Sequence, residues 1–145
     1  MADVKIIDID GEQWNMKDQE ARDSIITLEN SISTKDLPDA QITLKDGYTC
    51  SSIRITDCYK VGKIIFALLR IENLSGNKFG GTSTIRIAST NLIPIKRTAF
   101  IARDYIAPAT AKFYLEQNGD LSLGESNGIK DGYNIIYGEI IFAEP

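Results

Sequence analysis

The stretch Asn15–Thr34, NMKDQEARDSIITLENSIST, carries the helical pattern of the chain. Its apolar residues recur at spacings of four, three and four, which is the narrow a/d stripe of a coiled-coil seam. The seam consists of Ala21, Ile25, Leu28 and Ile32. The stretch therefore predicts a helix suited to self-association. A lone amphipathic helix lying on the domain that follows also fits, because the seam is shorter than the three or four heptads that define a coiled coil.

The residues around this helix predict where it begins and ends. A start at Asn15 or Met16 would let the Asn15 side chain cap free backbone amides. Leu37–Pro38 cannot continue a helix, so it should end by about Lys35. Before it, the apolar run Val4–Asp10 closes on a turn signal and predicts a strand. That strand is far in sequence from the others, so we expect it to pair with a neighbouring copy or a larger assembly.

From Ala40 onward the apolar period changes to two, which is typical of strands. Asp46–Gly47 and Asn118–Gly119 are strong hairpin signals. The pattern predicts roughly eight strands at the spacing of a β-sandwich. We therefore expect a mainly β protein, in which one strand and one coiled-coil-like helix (residues 1–36) precede a jelly-roll-like antiparallel β-sandwich head (37–145). The strands are predicted over 41–44, 48–56, 61–73, 83–89, 96–103, 111–117, 121–123 and 133–143.

Two of these segments, 61–73 and 133–143, are apolar on both faces. A strand of that kind is covered on both faces, whereas a two-layer sandwich covers only one. We therefore expect a second subunit to provide the other cover. With the helix seam, this gives a predicted oligomer interface of Ala21, Ile25, Leu28, Ile32, Ile65, Leu69, Ile135 and Tyr137.

Composition excludes several classes of function. The 145 residues carry a net charge of −4, which gives a nucleic-acid role no electrostatic support. The sequence contains no run of eighteen apolar residues, so we predict no membrane insertion. The first residues do not resemble a signal peptide. Histidine is absent, and no phosphate loop, zinc spacing or catalytic triad is present. We expect no catalysis and no cofactor.

Two smaller features bear on metal and redox chemistry. The carboxylates of Asp8 and Asp10 could bind a cation, but Asp-rich turns usually satisfy backbone amides, so we predict no metal site. Cys50 and Cys58 are too far apart for a disulfide if both lie on one extended strand. A bend near Thr56–Asp57 would bring them closer; free, partly buried thiols are expected.

One loop, 103–110, has the composition of a saccharide site. Sugar binding needs an aromatic face for the C–H side of a ring and planar polar groups for its hydroxyls. Arg103, Asp104 and Tyr105 supply these groups in one short stretch. The same stretch also fits an ordinary solvated loop with Tyr105 packed at its base.

The segment IIDIDGEQWNMKDQEARDSIITLE resembles the opening of many tail, baseplate and fibre proteins of phages that infect Gram-positive or gut bacteria. These begin with a strand, a D-x-D-G turn and an aromatic residue, followed by K-D-x-E-A-R at the start of a short helix. The C-terminal part is similar in pattern to the heads of phage receptor-binding proteins. The matching residues are Asp8, Asp10, Gly11, Trp14, Lys17, Asp18, Glu20, Ala21 and Arg22, then Val61, Gly62 and Lys63, the hairpin AKFYLEQNGDLSL and the terminus YNIIYGEIIFAEP.

This resemblance implies a homotrimer with a helical stem and three β-sandwich heads. It implies a virion protein made in the bacterial cytoplasm, which contacts other virion proteins through its N-terminus and a host-surface saccharide through its head. The number three comes from the resemblance, since the seam also suits dimers. Three alternatives stay open: a head-fibre or baseplate spacer that binds only virion proteins, a trimeric signalling-type jelly roll, and an enzyme that cleaves polysaccharide through a carboxylate pair.

Overall fold

The structure is a computed structural model that describes residues 6–9, 12–32, 34–76 and 84–145. The chain divides into two compact units, Met1–Thr34 and Lys35–Pro145. The sequence placed the division two residues later, after residue 36.

The first unit contains two short strands and the helix. Strands β1 (Ile6–Ile9) and β2 (Glu12–Asn15) pair antiparallel, with Ile9 opposite Glu12. Helix α1 (Met16–Ile32) follows directly, as its pattern predicted. Strand β1 thus has a partner within the chain, β2, which the sequence did not predict; its pairing with a neighbouring copy or a larger assembly stays a prediction.

The second unit is mainly β, as predicted. Among the residues that the structure describes, nine strands form one sheet in the order β3-β6-β7-β13-β10-β11-β12-β9-β4, and β5 pairs separately with β8. From β6 to β4, neighbouring strands of this sheet are antiparallel. The strands are β3 (Thr34–Asp36), β4 (Ile42–Leu44), β5 (Tyr48–Thr49), β6 (Ser52–Val61), β7 (Ile64–Glu72), β8 (Ser75–Gly76), β9 (Ile85–Thr90), β10 (Thr98–Asp104), β11 (Thr110–Leu115), β12 (Asp120–Asn127) and β13 (Ile135–Ala143).

The sheet curls around a single core. Near one end, Ala40 forms an isolated bridge with Ile55 of β6, so the two ends of the sheet approach each other. Strand β10 pairs with both β13 and β11, so the strands form one continuous sheet, whereas a sandwich would consist of two separate sheets. The predicted jelly-roll sandwich is therefore not confirmed. Phe100 and Phe113 stack inside the curl with ring centroids 5.5 Å apart.

The turns agree with the sequence in part. Asn118–Gly119 closes the β11–β12 hairpin, with Gly119 at φ 82°. Asp46–Gly47 is also a turn, but its flanking strands do not pair with each other: β4 pairs with β9, and β5 with β8. The predicted strand 61–73 is shortened by a turn at Gly62–Lys63, where Gly62 has φ 58° and Val61 pairs with Ile64.

Strand β6 carries a bulge at the predicted bend. Thr56 lies opposite Leu68 and Tyr59 opposite Phe66, so β6 has one residue more than β7 between these pairs. Asp57 lies in this bulge and has a φ of 52°. The bulge turns Cys58 inward, and burial raises the pKa of its thiol. Cys50 and Cys58 are both free, as expected.

Candidate binding site

The two faces of β7 and β13 have different roles. Paired residues of an antiparallel sheet share a face, and successive residues alternate between faces. One face carries Ile65, Ala67, Leu69 and Ile71 of β7 with Ile136, Gly138, Ile140 and Phe142 of β13; all are buried. The other carries Ile64, Phe66, Leu68, Arg70 and Glu72 with Ile135, Tyr137, Glu139 and Ile141. We name these the inner face and the outer face.

This arrangement corrects part of the predicted interface. Ile65 and Leu69 lie in the core, with 6% and 0% of their surface exposed. They cannot meet another subunit while the head is folded. Ile135 and Tyr137 belong to the outer face and are half-buried. The prediction therefore combined residues from opposite faces of the same sheet.

The outer face presents an apolar patch, which we name the outer patch: Tyr59, Phe66, Leu68, Ile101 and Ile141. Tyr59 and Phe66 stack at 4.7 Å between centroids. Ile101 and Ile141 are 66% and 48% exposed. A depression of about 350 Å³ lies over Tyr59, Phe66, Leu68 and Ile141. Asp57 and Glu139 also line this depression, so it carries two acidic residues among the apolar ones.

Beside the outer patch, the predicted saccharide residues meet Tyr137. A depression of about 470 Å³ is lined by Arg103, Asp104, Tyr105 and Tyr137. Tyr105 and Tyr137 form an edge contact, with centroids 6.3 Å apart and ring planes at 68°. Tyr105 is 82% exposed, so it is not packed at the base of its loop. We name Arg103, Tyr105 and Tyr137 the tyrosine site.

Asp104 has another role than the one predicted. Arg103 and Asp104 end β10, so only 105–109 form the loop. The Asp104 side chain is buried, and its Oδ1 accepts hydrogen bonds from the backbone N–H groups of Ile106 and Ile135 at 3.0 and 2.9 Å. The Tyr105 N–H donates to the Ile135 carbonyl at 2.7 Å. Asp104 therefore fastens the loop to β13 and positions Tyr105.

A row of arginines crosses the outer face at Tyr137. Arg54 lies opposite Arg70, Arg70 opposite Tyr137, and Tyr137 opposite Arg103. We name these four residues the arginine row. The Arg70 guanidinium lies 5.1 Å from the Tyr137 ring centroid, and its Nη2 is 2.6 Å from Glu72 Oε1. Sequence analysis missed the row because its members come from four strands whose register the sequence does not show.

The remaining predictions concern the helix seam and metal. Ala21, Ile25 and Leu28 are exposed, and the Ile32 side chain lies outside the described residues. Asp10, of the Asp8/Asp10 pair, also lies outside them. Within residues 6–9, 12–32, 34–76 and 84–145, no cluster of three or more metal-ligating side chains occurs. Over the same residues, no helix has the length and apolar character needed to span a membrane.

Comparison with known proteins gave one structural likeness. No protein-family model matches the chain, and no curated protein matches it in sequence. Among solved structures, the chain is similar to the receptor-binding protein (gp15) of Listeria phage PSA, with a TM-score of 0.46 and 19% identity. The match covers 90% of this chain and 76% of that one.

Proposed function

We propose that this chain is a structural protein of a phage tail, baseplate or fibre, and that its head binds a host-surface saccharide through the tyrosine site. The resemblance of residues 6–29 to the opening of such proteins supports the first part. The second rests on one observation: Tyr105 is 82% exposed and meets Tyr137 edge-on beside Arg103. In this proposal the N-terminal unit contacts other virion proteins.

The chemistry of the tyrosine site suits a sugar ring. The exposed Tyr105 ring offers an apolar face to the C–H side of a pyranose, while phenol and guanidinium groups can hydrogen-bond to hydroxyls. The backbone that carries the ring is held at both ends, because the Tyr105 N–H donates to the Ile135 carbonyl and the Ile106 N–H to Asp104. A fixed platform loses little conformational freedom on binding, which favours affinity.

A glycan array probed with the purified intact chain tests this proposal. We expect binding to a restricted set of bacterial-surface saccharides, and loss of that binding when Tyr105 is replaced by Ala. If no saccharide binds and the chain is instead captured by purified virion proteins, the spacer function replaces attachment. The outer patch favours this second candidate, because exposed apolar surface is typical of protein contacts.

We also propose that the chain assembles as a homotrimer through the α1 seam and the outer patch. A helix of 17 residues is marginal alone, so association of the heads has to contribute. The outer patch supplies apolar area at Ile101 and Ile141 that the chain itself leaves exposed. The tyrosine site would then lie at the edge of the subunit contact.

Light scattering at micromolar concentration tests the assembly. Ile101→Asp and Ile141→Asp should each lower the mass below that of three chains, because a charge buried in an apolar contact is strongly unfavourable. Ile93→Asp is the matched control: Ile93 is 41% exposed, lies beside the Gly119 turn and does not line the depression at the outer patch. A monomeric wild-type chain would contradict the proposal, and a dimer would contradict the number three.

We propose binding without turnover. The chain has no histidine, and sequence analysis found no spacing of a nucleophile with a base. Incubation with the saccharide that it binds should release no new reducing ends. Release that a single carboxylate substitution abolishes would establish the enzyme alternative.

A further inference from the structure

The arginine row places like charges next to each other on one face of the sheet. Arg54 and Arg70 are direct cross-strand partners, and like charges in that position destabilise a sheet. The chain as a whole is acidic, with a net charge of −4. A cationic row in an acidic chain is therefore a local feature and does not follow from overall composition.

The charges of this row are only partly balanced. Glu72 pairs with Arg70, at 2.6 Å. Among the residues that the structure describes, Arg54 and Arg103 have no carboxylate partner, and the buried Nε of Arg70 has no hydrogen-bond acceptor. The Arg70 Nε is buried, so the free guanidinium beside Tyr137 that a ligand can reach is that of Arg103.

We propose that the tyrosine site binds an acidic saccharide, with its carboxylate or phosphate group held by Arg103 on the loop side of Tyr137. This inference rests on the proposed saccharide-binding function and specifies its ligand class. Arg103 and Arg70 flank Tyr137 on neighbouring strands, so their Cα atoms are about 10 Å apart across the sheet. Arg70 is paired with Glu72 and lies over the Tyr137 ring, so it contributes positive charge beside the site, while Arg103 contacts the anion. The guanidinium fork of Arg103 matches carboxylate and phosphate geometry.

Neighbouring acids restrict where the anion can sit. Glu139 is two residues beyond Tyr137 on the same face, opposite Leu68. The Asp104 side chain is buried: its Oδ1 accepts from two backbone amides, and its Oδ2 is buried without a hydrogen-bond partner, so neither oxygen faces the ligand. The favourable position is therefore on the loop side of Tyr137, next to Arg103 and the exposed Tyr105 ring. A sugar stacked on Tyr105 would carry its acidic substituent into this position.

The first test sorts ligands by charge. The intact chain is probed with an array in which neutral, carboxylate-bearing and phosphate-bearing glycans of similar size are compared. Binding confined to acidic glycans supports the inference. Comparison of the carboxylate-bearing with the phosphate-bearing glycans then shows which acidic group the site recognises. Binding to neutral glycans alone overturns the inference but leaves the proposed function intact. Binding to no glycan overturns both.

The second test uses the bound glycan with two variants. Arg103→Gln should weaken binding about tenfold or more, because it removes a charged hydrogen-bond donor. Lys96→Gln, which removes an exposed positive charge outside β10 and both depressions, should leave binding unchanged. Wild-type affinity should fall as salt is raised from about 0.05 to 0.5 M, since partly exposed charge pairs are screened. Equal affinities of Arg103→Gln and wild type, with no salt dependence, would overturn the inference.

Discussion

Ile140 and Ile141 are adjacent in β13, yet Ile140 is fully buried and Ile141 is 48% exposed. The same contrast runs along the strand: the inner face completes the core, whereas the outer face carries the outer patch and Tyr137. Both faces of the strand are so apolar that the sequence pattern alone would place either of them in the core. The difference shows that the interior of this head depends on which face the sheet curls around, and that the opposite face of the same strands is available for binding.

The largest expected effect separates the two isoleucines directly. Ile140→Ala should lower the free energy of unfolding by about 2–5 kcal/mol, because it leaves a cavity in a packed core. Ile141→Ala removes the same atoms from a half-exposed position and should cost less than about 1 kcal/mol. Urea unfolding of both variants measures this. At a concentration low enough to keep the chain monomeric, equal costs would mean that the two faces are wrongly distinguished. A higher cost of Ile141→Ala only at concentrations where the chain assembles would support burial of the outer patch in the trimer.

Gly138 offers a second way to examine the inner face. A Cβ atom at this position would lie 2.9 Å from Phe100 Cε2 and 3.0 Å from the Ala102 Cβ. Gly138→Ala should therefore cost about 1–3 kcal/mol through overpacking. Phe100→Leu in the same chain should recover part of the loss, measured as a double-mutant cycle. Strictly additive effects would contradict the close contact between Gly138 and Phe100.

Asp104 connects the two faces, since its carboxylate lies inside while the loop it fastens carries Tyr105 outside. Asp104→Ala should cost about 1–2 kcal/mol, because the N–H groups of Ile106 and Ile135 lose their acceptor. Asp104→Asn keeps an acceptor oxygen and should recover most of the stability and of the saccharide binding. If Asn is as damaging as Ala, the carboxylate charge itself is needed.

The smallest expected effect concerns Cys58 on the inner side of the bulge. Burial raises the pKa of its thiol above that of an ordinary cysteine, so the unfolded chain ionises first as pH rises. The contribution of this thiol to stability is present below about pH 9 and is lost progressively at higher pH. Cys58→Ala should therefore unfold with a weaker dependence on alkaline pH than the wild type, whereas an identical dependence would exclude ionisation of Cys58 as its source.

The helix, the hairpin at Asn118–Gly119 and the mainly β class could be predicted because each depends on local pattern. The pairing of β4 with β9 and the position of β13 between β7 and β10 could not, because they join residues far apart in sequence. One available signal was overlooked. Arg70 shares a face with Phe66 and Leu68, and Glu139 shares one with Tyr137, so the charged residues already marked the outer face.

For the site, the sequence identified Arg103 and Tyr105 from their chemistry. It could not show that Asp104 turns inward, because strand β10 continues through Asp104 and alternation then places its side chain in the core. The sequence also could not predict the contact of Tyr137 with Tyr105, since that contact depends on the register of β10 with β13.

Binding of the intact chain to host cells, measured for wild type, Tyr105→Ala and Tyr133→Ala, tests the central claim most directly. Tyr133 is also exposed, at 60%, but does not line the depression at the tyrosine site. We predict that Tyr105→Ala loses most of the binding while its melting temperature stays within about 2 °C of wild type, and that Tyr133→Ala keeps both. Full-strength binding by a folded Tyr105→Ala chain would contradict the assignment of the tyrosine site.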